Sequence, residues 1–178
     1  QAGQRRFRFW SSACSSGEEP YTAAMALDPI LEGCDWKILA TDISTRVLAR
    51  AADGIYNEEE MEPVAEPLRQ RFFQAAPAGG DGARRFEVKQ RLKERIVFRR
   101  LNLAARPYPM SGPLDTIFCR NVMIYFDRPM REGLVREFER LLRPGSPLYI
   151  GHSETLNGIP TRLRTERPSI YRQPEEAR

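Results

Sequence analysis

Apolar segments of strand length alternate with helical segments in the first third of the sequence, and this order constrains the fold more than any other feature. The runs FRFWSSA at 7–13 and WKILATD at 36–42 are mostly apolar, and each ends in polar residues. Residues 18–31 and 44–53 have helical patterns, the second with Ser44 as a candidate N-cap. A strand–helix–strand–helix order predicts a parallel sheet with helical crossovers.

The pattern is interrupted once and then resumes. Residues 55–95 contain short helical pieces broken by Pro63 and Pro67, and two segments around the glycine-rich loop 76–85 that can pair as a hairpin. We therefore predict an α/β fold, a mostly parallel doubly wound sheet with a small inserted antiparallel β-subdomain. The later elements are predicted strands at 95–103, 113–121 and 147–154, a helix at 127–145, and two short strands at 161–165 and 168–172.

Composition excludes several classes of protein. At 178 residues, 41% hydrophobic and 29% charged, the chain is typical of a globular domain, and no apolar run has the length of a membrane span. Three cysteines without CxxC spacing and a single histidine disfavour a disulfide framework and a zinc site, and they favour a cytoplasm-like compartment.

The net charge of +4 is unevenly distributed. Residues 84–106 carry nine Lys or Arg against two acids, Glu87 and Glu94. Nucleic acid, an acidic protein partner and a solvated basic face are three interpretations of this segment. The segment lacks the interleaved aromatic residues that single-strand nucleic-acid binding uses, so we do not predict nucleic acid as a partner.

Polar residues follow four successive predicted strands. They are Ser11–Glu18, Asp42, Asn102 with Leu103, and Arg120 with Asn121. Ligands of doubly wound sheets bind at the carboxyl ends of the strands, near the point where the strand order reverses. One such residue is ordinary loop chemistry, but the four groups together predict one pocket.

The first turn restricts the ligand of that pocket. SSACSSG keeps only Gly17 of a glycine-rich phosphate turn, and Glu18 and Glu19 follow directly. A pyrophosphate gains nothing from neighbouring carboxylates, whereas Glu18 can pair with an ammonium group. Asp42 is placed either to accept hydrogen bonds from ribose hydroxyls or to cap the helix that begins near Ser44. S-adenosylmethionine (SAM), an adenosine with a charged amine, has the chemistry that this turn suits.

The segments WSSACSSGEEPYTAAM, WKILATDIS, RRLNLA, DTIFCRNVMIYFD and LRPGSPLYIGHSETL resemble the SAM-binding domain of the CheR family of chemotaxis-receptor methyltransferases. The resemblance runs in order from about residue 6 to about residue 172. It implies a Rossmann-like SAM-dependent methyltransferase fold, with residues 1–54 and 96–178 as the SAM-binding domain and 55–95 as an inserted, receptor-docking subdomain. Members of this family usually begin with a small helical domain that contributes to the SAM site, and we expect residues 1–178 without such a domain to bind SAM weakly or not to turn over.

The resemblance also implies an activity. It implies that the chain transfers the methyl group of SAM to glutamate side chains in the cytoplasmic domain of methyl-accepting chemotaxis receptors, giving glutamyl methyl esters and S-adenosylhomocysteine (SAH). From the residues themselves we expect no metal, no nucleic acid partner and no membrane insertion. By the same resemblance Glu18 binds the methionine portion of SAM, Asp42 binds its ribose, and Tyr125 lies beside the transferring methyl group. The rest of the site is lined by Asn102, Leu103, Arg120 and Asn121.

The residues leave several roles open. A glutamate acceptor, with a pKa of about 4.3, is already ionised at neutral pH, so the chain needs no general base. Tyr125 is either a candidate catalytic side chain or a buried aromatic residue of a short helix. Arg120 either orients a substrate carboxylate, contacts SAM, or forms a structural salt bridge, and His152 is better interpreted as a strand-end residue than as a catalyst. Another protein substrate, and a non-catalytic SAM-binding or docking module, are the alternative functions.

Overall fold

The computed structural model describes residues 6–79 and 82–175. The tip of the predicted glycine-rich loop, Gly80 and Asp81, lies outside the described residues, as do both ends of the predicted methyltransferase domain, residues 1–5 and 176–178. The described elements are, in chain order, β1 Arg6–Ser11, α1 Glu18–Leu27, β2 Asp35–Asp42, α2 Thr45–Asp53, β3 Ile55–Asn57, α3 Glu58–Met61, α4 Glu66–Phe72, β4 Phe73–Ala76, β5 Arg85–Val88, α5 Gln90–Lys93, β6 Ile96–Arg100, β7 Thr116–Cys119, a 3₁₀ turn Met123–Tyr125, α6 Arg128–Leu141, β8 Pro147–Ile150, β9 Arg164–Arg167 and β10 Ile170–Arg172.

A seven-stranded sheet with the order β6-β2-β1-β7-β8-β10-β9 forms the centre of the fold. The strands from β6 to β8 are parallel, and β10 and β9 close the sheet as antiparallel strands. The order reverses between β1 and β7, because β1 is followed by β2 on one side and β7 is followed by β8 on the other. The prediction of a mostly parallel α/β sheet is confirmed.

Each face of this sheet has its own apolar core, because side chains of a strand alternate between the two faces. Trp10 lies with Phe138 of α6 in one core, and Phe9 lies with Tyr21 of α1 in the other. The indole Nε1 of Trp10 donates to Thr41 Oγ1 at 2.9 Å, which satisfies the polar atom of a fully buried ring.

Residues 55–95 form a three-stranded antiparallel sheet with the order β3-β5-β4, accompanied by α3, α4 and α5. The predicted hairpin is the β4–β5 pair, while the third strand, β3, was not predicted. Phe72 and Leu92 of this segment are buried in the same core as Phe9 of β1. The small sheet therefore packs on the large one through a shared apolar core.

Element ends differ from the predictions where tertiary pairing takes over from local pattern. The helix predicted to reach residue 145 ends at Leu141, because Leu142 is extended and bridges to Leu114. The predicted cap of α2 is present, with Ser44 Oγ accepting from Val47 N, and α6 is capped by the Asp127 side chain, which accepts from Met130 N. Within the part of the chain that the structure describes, no helix is both long and apolar enough to cross a membrane.

Candidate functional site

Two adjoining cavities open at the carboxyl ends of the parallel strands, where the strand order reverses. The larger has a volume of about 830 Å³ and the smaller about 140 Å³, and Ala13, Asp42 and Val122 line both. The larger cavity is also lined by Cys14, Ser15, Glu18, Glu19, Thr22, Ala23, Ala26, Phe118, Arg120 and Asn121. The smaller is also lined by Ser12, Ile43, Leu101, Asn102, Leu103 and Phe126.

The turn between β1 and α1 needs small residues because it passes close to the neighbouring elements. Gly17 has a φ of 100°, and a Cβ there would lie 2.9 Å from the Tyr56 hydroxyl and 3.0 Å from Ala51 Cβ. The same Tyr56 hydroxyl donates to the carbonyl oxygen of Ser16 at 3.0 Å. A side chain at position 17 would strain the backbone and push the turn away from its support.

The two acids of this turn have different surroundings. Glu18 is exposed and accepts from the Ser16 hydroxyl at 2.7 Å. Glu19 is largely buried, accepts from the Ser11 hydroxyl at 2.7 Å, and lies 3.3 Å from Arg120 Nη1. Burial raises the pKa of Glu19, and the hydrogen bond from Ser11 and the charge of Arg120 oppose that rise. Glu19 thus pairs with Ser11 and Arg120 within the protein, whereas Glu18 is exposed in the lining of the larger cavity.

Asp42 joins the ends of two neighbouring strands. Its Oδ2 accepts from the backbone N–H of Ser15 at 3.0 Å, and its Oδ1 accepts from the backbone N–H of Ser44 at 3.0 Å. Ser44 is the N-cap of α2. A role for Asp42 at the start of this helix therefore explains its contact with Ser44 but not its contact with Ser15. Each carboxylate oxygen retains a second lone pair for a ligand hydroxyl.

The smaller cavity is mostly apolar and is bounded by the residues that follow β6. Asn102 Oδ1 accepts from the backbone N–H of Ala104 at 2.9 Å, which closes a tight turn. Leu103 is buried, and its carbonyl oxygen accepts from the Tyr108 hydroxyl at 2.8 Å. With Ile43 on the other side, these residues form a narrow apolar slot beside Asp42. Such a slot suits a flat aromatic ring.

The segment after β7 carries three predicted residues, and the structure brings only two of them into the cavity. Arg120 and Asn121 both line the larger cavity. Arg120 also pairs with Glu19, and Asn121 has a left-handed backbone conformation with a φ of 58°. Tyr125 is 79% exposed and lines neither cavity. The interpretation of Tyr125 as a buried aromatic is therefore wrong, and its role beside a methyl group stays a prediction.

One acid that sequence reasoning missed organises this segment. Glu154 is buried, and its carboxylate accepts backbone N–H groups from Asn121 at 3.0 Å, Val122 at 2.9 Å, Met123 at 2.8 Å and Gly151 at 2.6 Å. The signal in the sequence is the acid of GHSE, in the turn that follows β8.

The basic segment 84–106 is largely engaged with the protein itself. Arg84 contacts Glu58, Arg91 contacts Asp28, and Lys93 contacts Glu87. These internal partners disfavour a continuous stripe of free cations for a phosphate backbone. Within the described ranges 6–79 and 82–175, no group of three or more His, Cys, Asp or Glu residues is arranged to hold a metal ion.

The order of the sheet, with an acid-lined cavity at the strand reversal and no glycine-rich phosphate loop, defines the SAM-dependent methyltransferase fold class. Among solved structures, the CMeT domain of the citrinin polyketide synthase superposes with a TM-score of 0.52 at 16% identity, covering 84% of this chain and 30% of that one. At that identity the likeness concerns the fold alone.

Sequence comparisons identify the family within this class. Residues 1–171 match the family described as CheR methyltransferase, SAM binding domain. The chemotaxis protein methyltransferase of Escherichia coli K12 is 41% identical over 167 residues, which are 93% of this chain and 58% of the relative. The probable chemotaxis protein methyltransferase of Rhizobium etli is 44% identical over 156 residues, which are 86% of this chain and 57% of the relative. The chain belongs to the CheR family, and it spans little more than half the length of these relatives.

Proposed function

We propose that this chain binds SAM in the two joined cavities and transfers its methyl group to glutamate side chains of chemotaxis receptors. The products are glutamyl methyl esters and SAH. Membership of the CheR family and the names of the E. coli and R. etli relatives support the proposal. An activity of this kind belongs in the cytoplasm, where the signalling domains of the receptors lie.

The single observation that carries the proposal is the set of acids around the larger cavity. Glu18 and Asp42 line a cavity of about 830 Å³ at the carboxyl edge of a parallel sheet. Carboxylates stabilise a cation or accept from hydroxyl groups, and they repel phosphate. SAM offers both an ammonium group and a ribose diol, so these residues fit the ligand by charge and by hydrogen bonding.

The remaining candidate residues fit the other parts of SAM. The apolar slot bounded by Leu103 and by the turn of Asn102 suits the adenine ring. Glu18 would bind the amine of the methionine portion, and Arg120 is close enough to the same cavity to meet its carboxylate. Asn121 would close the site from the β7 side. In this arrangement Asp42, which lines both cavities, would hold the ribose between them.

The reaction requires orientation more than acid–base chemistry. When bound, SAM supplies a methyl group on a positively charged sulfur, and a receptor carboxylate oxygen takes that methyl while the electrons of the broken C–S bond stay on the sulfur. We propose that the exposed Tyr125, at the end of the 3₁₀ turn, faces the methyl group once a receptor substrate covers this tyrosine. Arg120 would orient the incoming carboxylate or hold SAM. Orienting two reactants in this way lowers the activation free energy by roughly 7–11 kcal/mol.

We propose that residues 55–95 form the receptor-docking part of the protein, while 1–54 and 96–178 bind SAM. A groove of about 540 Å³ in the small sheet is lined by Arg69, Arg84 and Arg85 together with Glu58 and Glu66. Receptor cytoplasmic domains with acidic surfaces would meet the arginines of this groove. The proposal assigns the two sheets separate tasks, chemistry for the large one and partner recognition for the small one.

The test has two stages. Calorimetric titration with SAM and SAH measures binding, and radiolabelled methyl transfer to receptor cytoplasmic fragments measures catalysis. We expect alkali-labile label on receptor glutamates and no label on a matched fragment whose methyl-accepting glutamates are replaced by alanine. Label that resists alkali, or that persists on the alanine fragment, would show a methyltransferase with another substrate.

A non-catalytic SAM-binding module is the second candidate. The observation that favours it is the position of Tyr125, which is exposed and lines neither cavity. This function requires SAH binding without methyl transfer to any receptor fragment, whereas absence of SAM and SAH binding contradicts both candidates.

A further inference from the structure

The carboxylate of Glu154 is the centre of a hydrogen-bonded cluster behind the cavity wall. Oε1 accepts from the backbone N–H groups of Val122 and Met123, and Oε2 accepts from those of Asn121 and Gly151. The side chain is buried, so these four donors replace the water that an ionised carboxylate requires. Burying a carboxylate costs free energy unless all of its hydrogen bonds are made, so this cluster holds the four donors in one fixed geometry.

Close approach to this carboxylate depends on a glycine. A Cβ at position 151 would lie 2.6 Å from Glu154 Oε2 and 3.0 Å from the backbone nitrogen of Asn121. Gly151 is not in the left-handed region, so its backbone conformation does not call for a glycine. The missing side chain leaves room for the carboxylate and for the segment that it holds.

The segment that Glu154 holds is part of the cavity wall. Asn121 has a φ of 58°, in the left-handed region, where a residue with a side chain is seldom found unless its surroundings hold it there. Asn121 and Val122 both line the larger cavity, and Val122 also lines the smaller one. The carboxylate therefore fixes the backbone at the place where the two cavities meet, although Glu154 itself lines neither of them.

We propose that Glu154 is a positioning residue for the ligand site, holding the backbone of residues 121–123 in the conformation that binds SAM and SAH. The inference rests on the proposed function for the identity of the ligand. A ligand that binds one conformation loses apparent affinity in proportion to the fraction of protein that has left it. Glu154 keeps that fraction high in the free protein.

Glu154→Gln is the sharpest variant, because it keeps the size of the side chain and replaces one acceptor oxygen by an NH₂ group. That group faces N–H donors with which it cannot bond. Glu139→Gln is the matched control, since Glu139 is also nearly buried, also accepts a backbone N–H, from Arg162 at 2.6 Å, and lines neither cavity. Both variants weaken a charge-assisted hydrogen bond from a backbone N–H, but only Glu154→Gln loosens the cavity wall.

The experiment measures SAH affinity by calorimetry and thermal stability for both variants. We expect Glu154→Gln to weaken SAH binding roughly tenfold or more, while Glu139→Gln keeps the affinity of the unchanged chain despite a loss of stability of its own. Amide hydrogen exchange gives a readout without ligand, with faster exchange at Val122 and Met123 in Glu154→Gln alone.

A second variant guards against a failure to fold. Gly151→Ala keeps every charge, and its Cβ displaces the Glu154 carboxylate from the backbone of Asn121. It should therefore also weaken SAH binding, with a smaller loss of stability than in Glu154→Gln. Unchanged SAH affinity in a folded Glu154→Gln or Gly151→Ala variant would overturn the inference, as would an equal loss of affinity in Glu139→Gln. Failure of the unchanged chain to bind SAM or SAH would instead overturn the proposed function and the inference with it.

Discussion

The large and the small sheet fix their charged side chains by different means. At the carboxyl edge of the large sheet, the carboxylates of Asp42 and Glu154 accept backbone N–H groups, so the fold itself fixes their positions. Beside the small sheet, Glu58 of α3 and Arg84, just before β5, form an exposed ion pair, a type of contact worth about 0–1 kcal/mol. Backbone-bound acids are preorganised for a small ligand, whereas exposed ion pairs can exchange partners with a protein surface.

The two sheets nevertheless share one apolar core, and the largest expected effect tests whether they are separable. Phe72 of α4 is 1% exposed, with the guanidinium groups of Arg71 and Arg91 each 5.1 Å from its ring centre. We expect Phe72→Ala to lower the free energy of unfolding by about 3–5 kcal/mol, because it opens a cavity in the shared core. Tryptophan fluorescence during urea unfolding reports this loss, since Trp10 and Trp36 belong to the large sheet.

The control for this variant is Leu68→Ala on the same helix. Leu68 is 39% exposed, and its loss should change the free energy of unfolding by no more than about 0.5 kcal/mol. If Phe72→Ala left the tryptophan transition in place while the small sheet unfolded separately, the two sheets would be independent folding units.

The second effect concerns the ligand edge of the large sheet. Asp42→Ala removes the acceptor of Ser15 N and Ser44 N and the expected partner of the ribose. We expect SAH binding to weaken roughly 10- to 100-fold, as for the loss of hydrogen bonds to a charged group. Calorimetric titration with SAH measures it.

Glu58→Ala removes a matched acid from α3, beside the small sheet, and it should leave SAH affinity unchanged. Equal affinity of Asp42→Ala and the unchanged chain would reduce Asp42 to a turn-forming residue. An equal loss in Glu58→Ala would show that the two acids act on a common property of the fold and that neither is specific to the ligand.

A smaller effect is expected for the receptor docking that we propose for residues 55–95. Replacing Arg84 and Arg85 by alanine should weaken binding to a receptor cytoplasmic fragment roughly three- to tenfold, mostly at low salt, because exposed charges act weakly and are screened. Replacing Arg164 and Arg167 of β9 removes the same charge at the far edge of the large sheet and should have less effect. Surface plasmon resonance at two salt concentrations measures both variants. Equal losses in the two pairs would assign docking to net charge instead of to the groove.

The sequence predicts what local pattern determines and misses what distant pairing determines. Asp42 was identifiable because an acid directly follows an apolar strand, and its two backbone partners are near the ends of neighbouring elements. Glu154 was not, because three of its four donors come from a segment 31 to 33 residues earlier in the chain. The exposure of Tyr125 likewise depends on how the 3₁₀ turn sits above the sheet, which no periodicity in NVMIYF reveals.

The smallest expected effect is a pH dependence that belongs to the large sheet. Burial raises the pKa of Glu19 above its ordinary value, so the folded protein binds this proton more tightly than the unfolded chain. The stability that Glu19 contributes is therefore present below the ordinary glutamate pKa and is lost as the pH rises through the raised value. Glu19→Gln removes this loss, so the variant should gain stability relative to the unchanged chain as the pH rises, as measured by urea unfolding across that window.

Glu137→Gln is the control of opposite sign, because the hydrogen bond from Arg140 lowers the pKa of Glu137 and its stabilising contribution is lost on acidification instead. A stability difference for Glu19→Gln that stayed constant with pH would mean that Arg120 and Ser11 fully offset the burial of the Glu19 carboxylate.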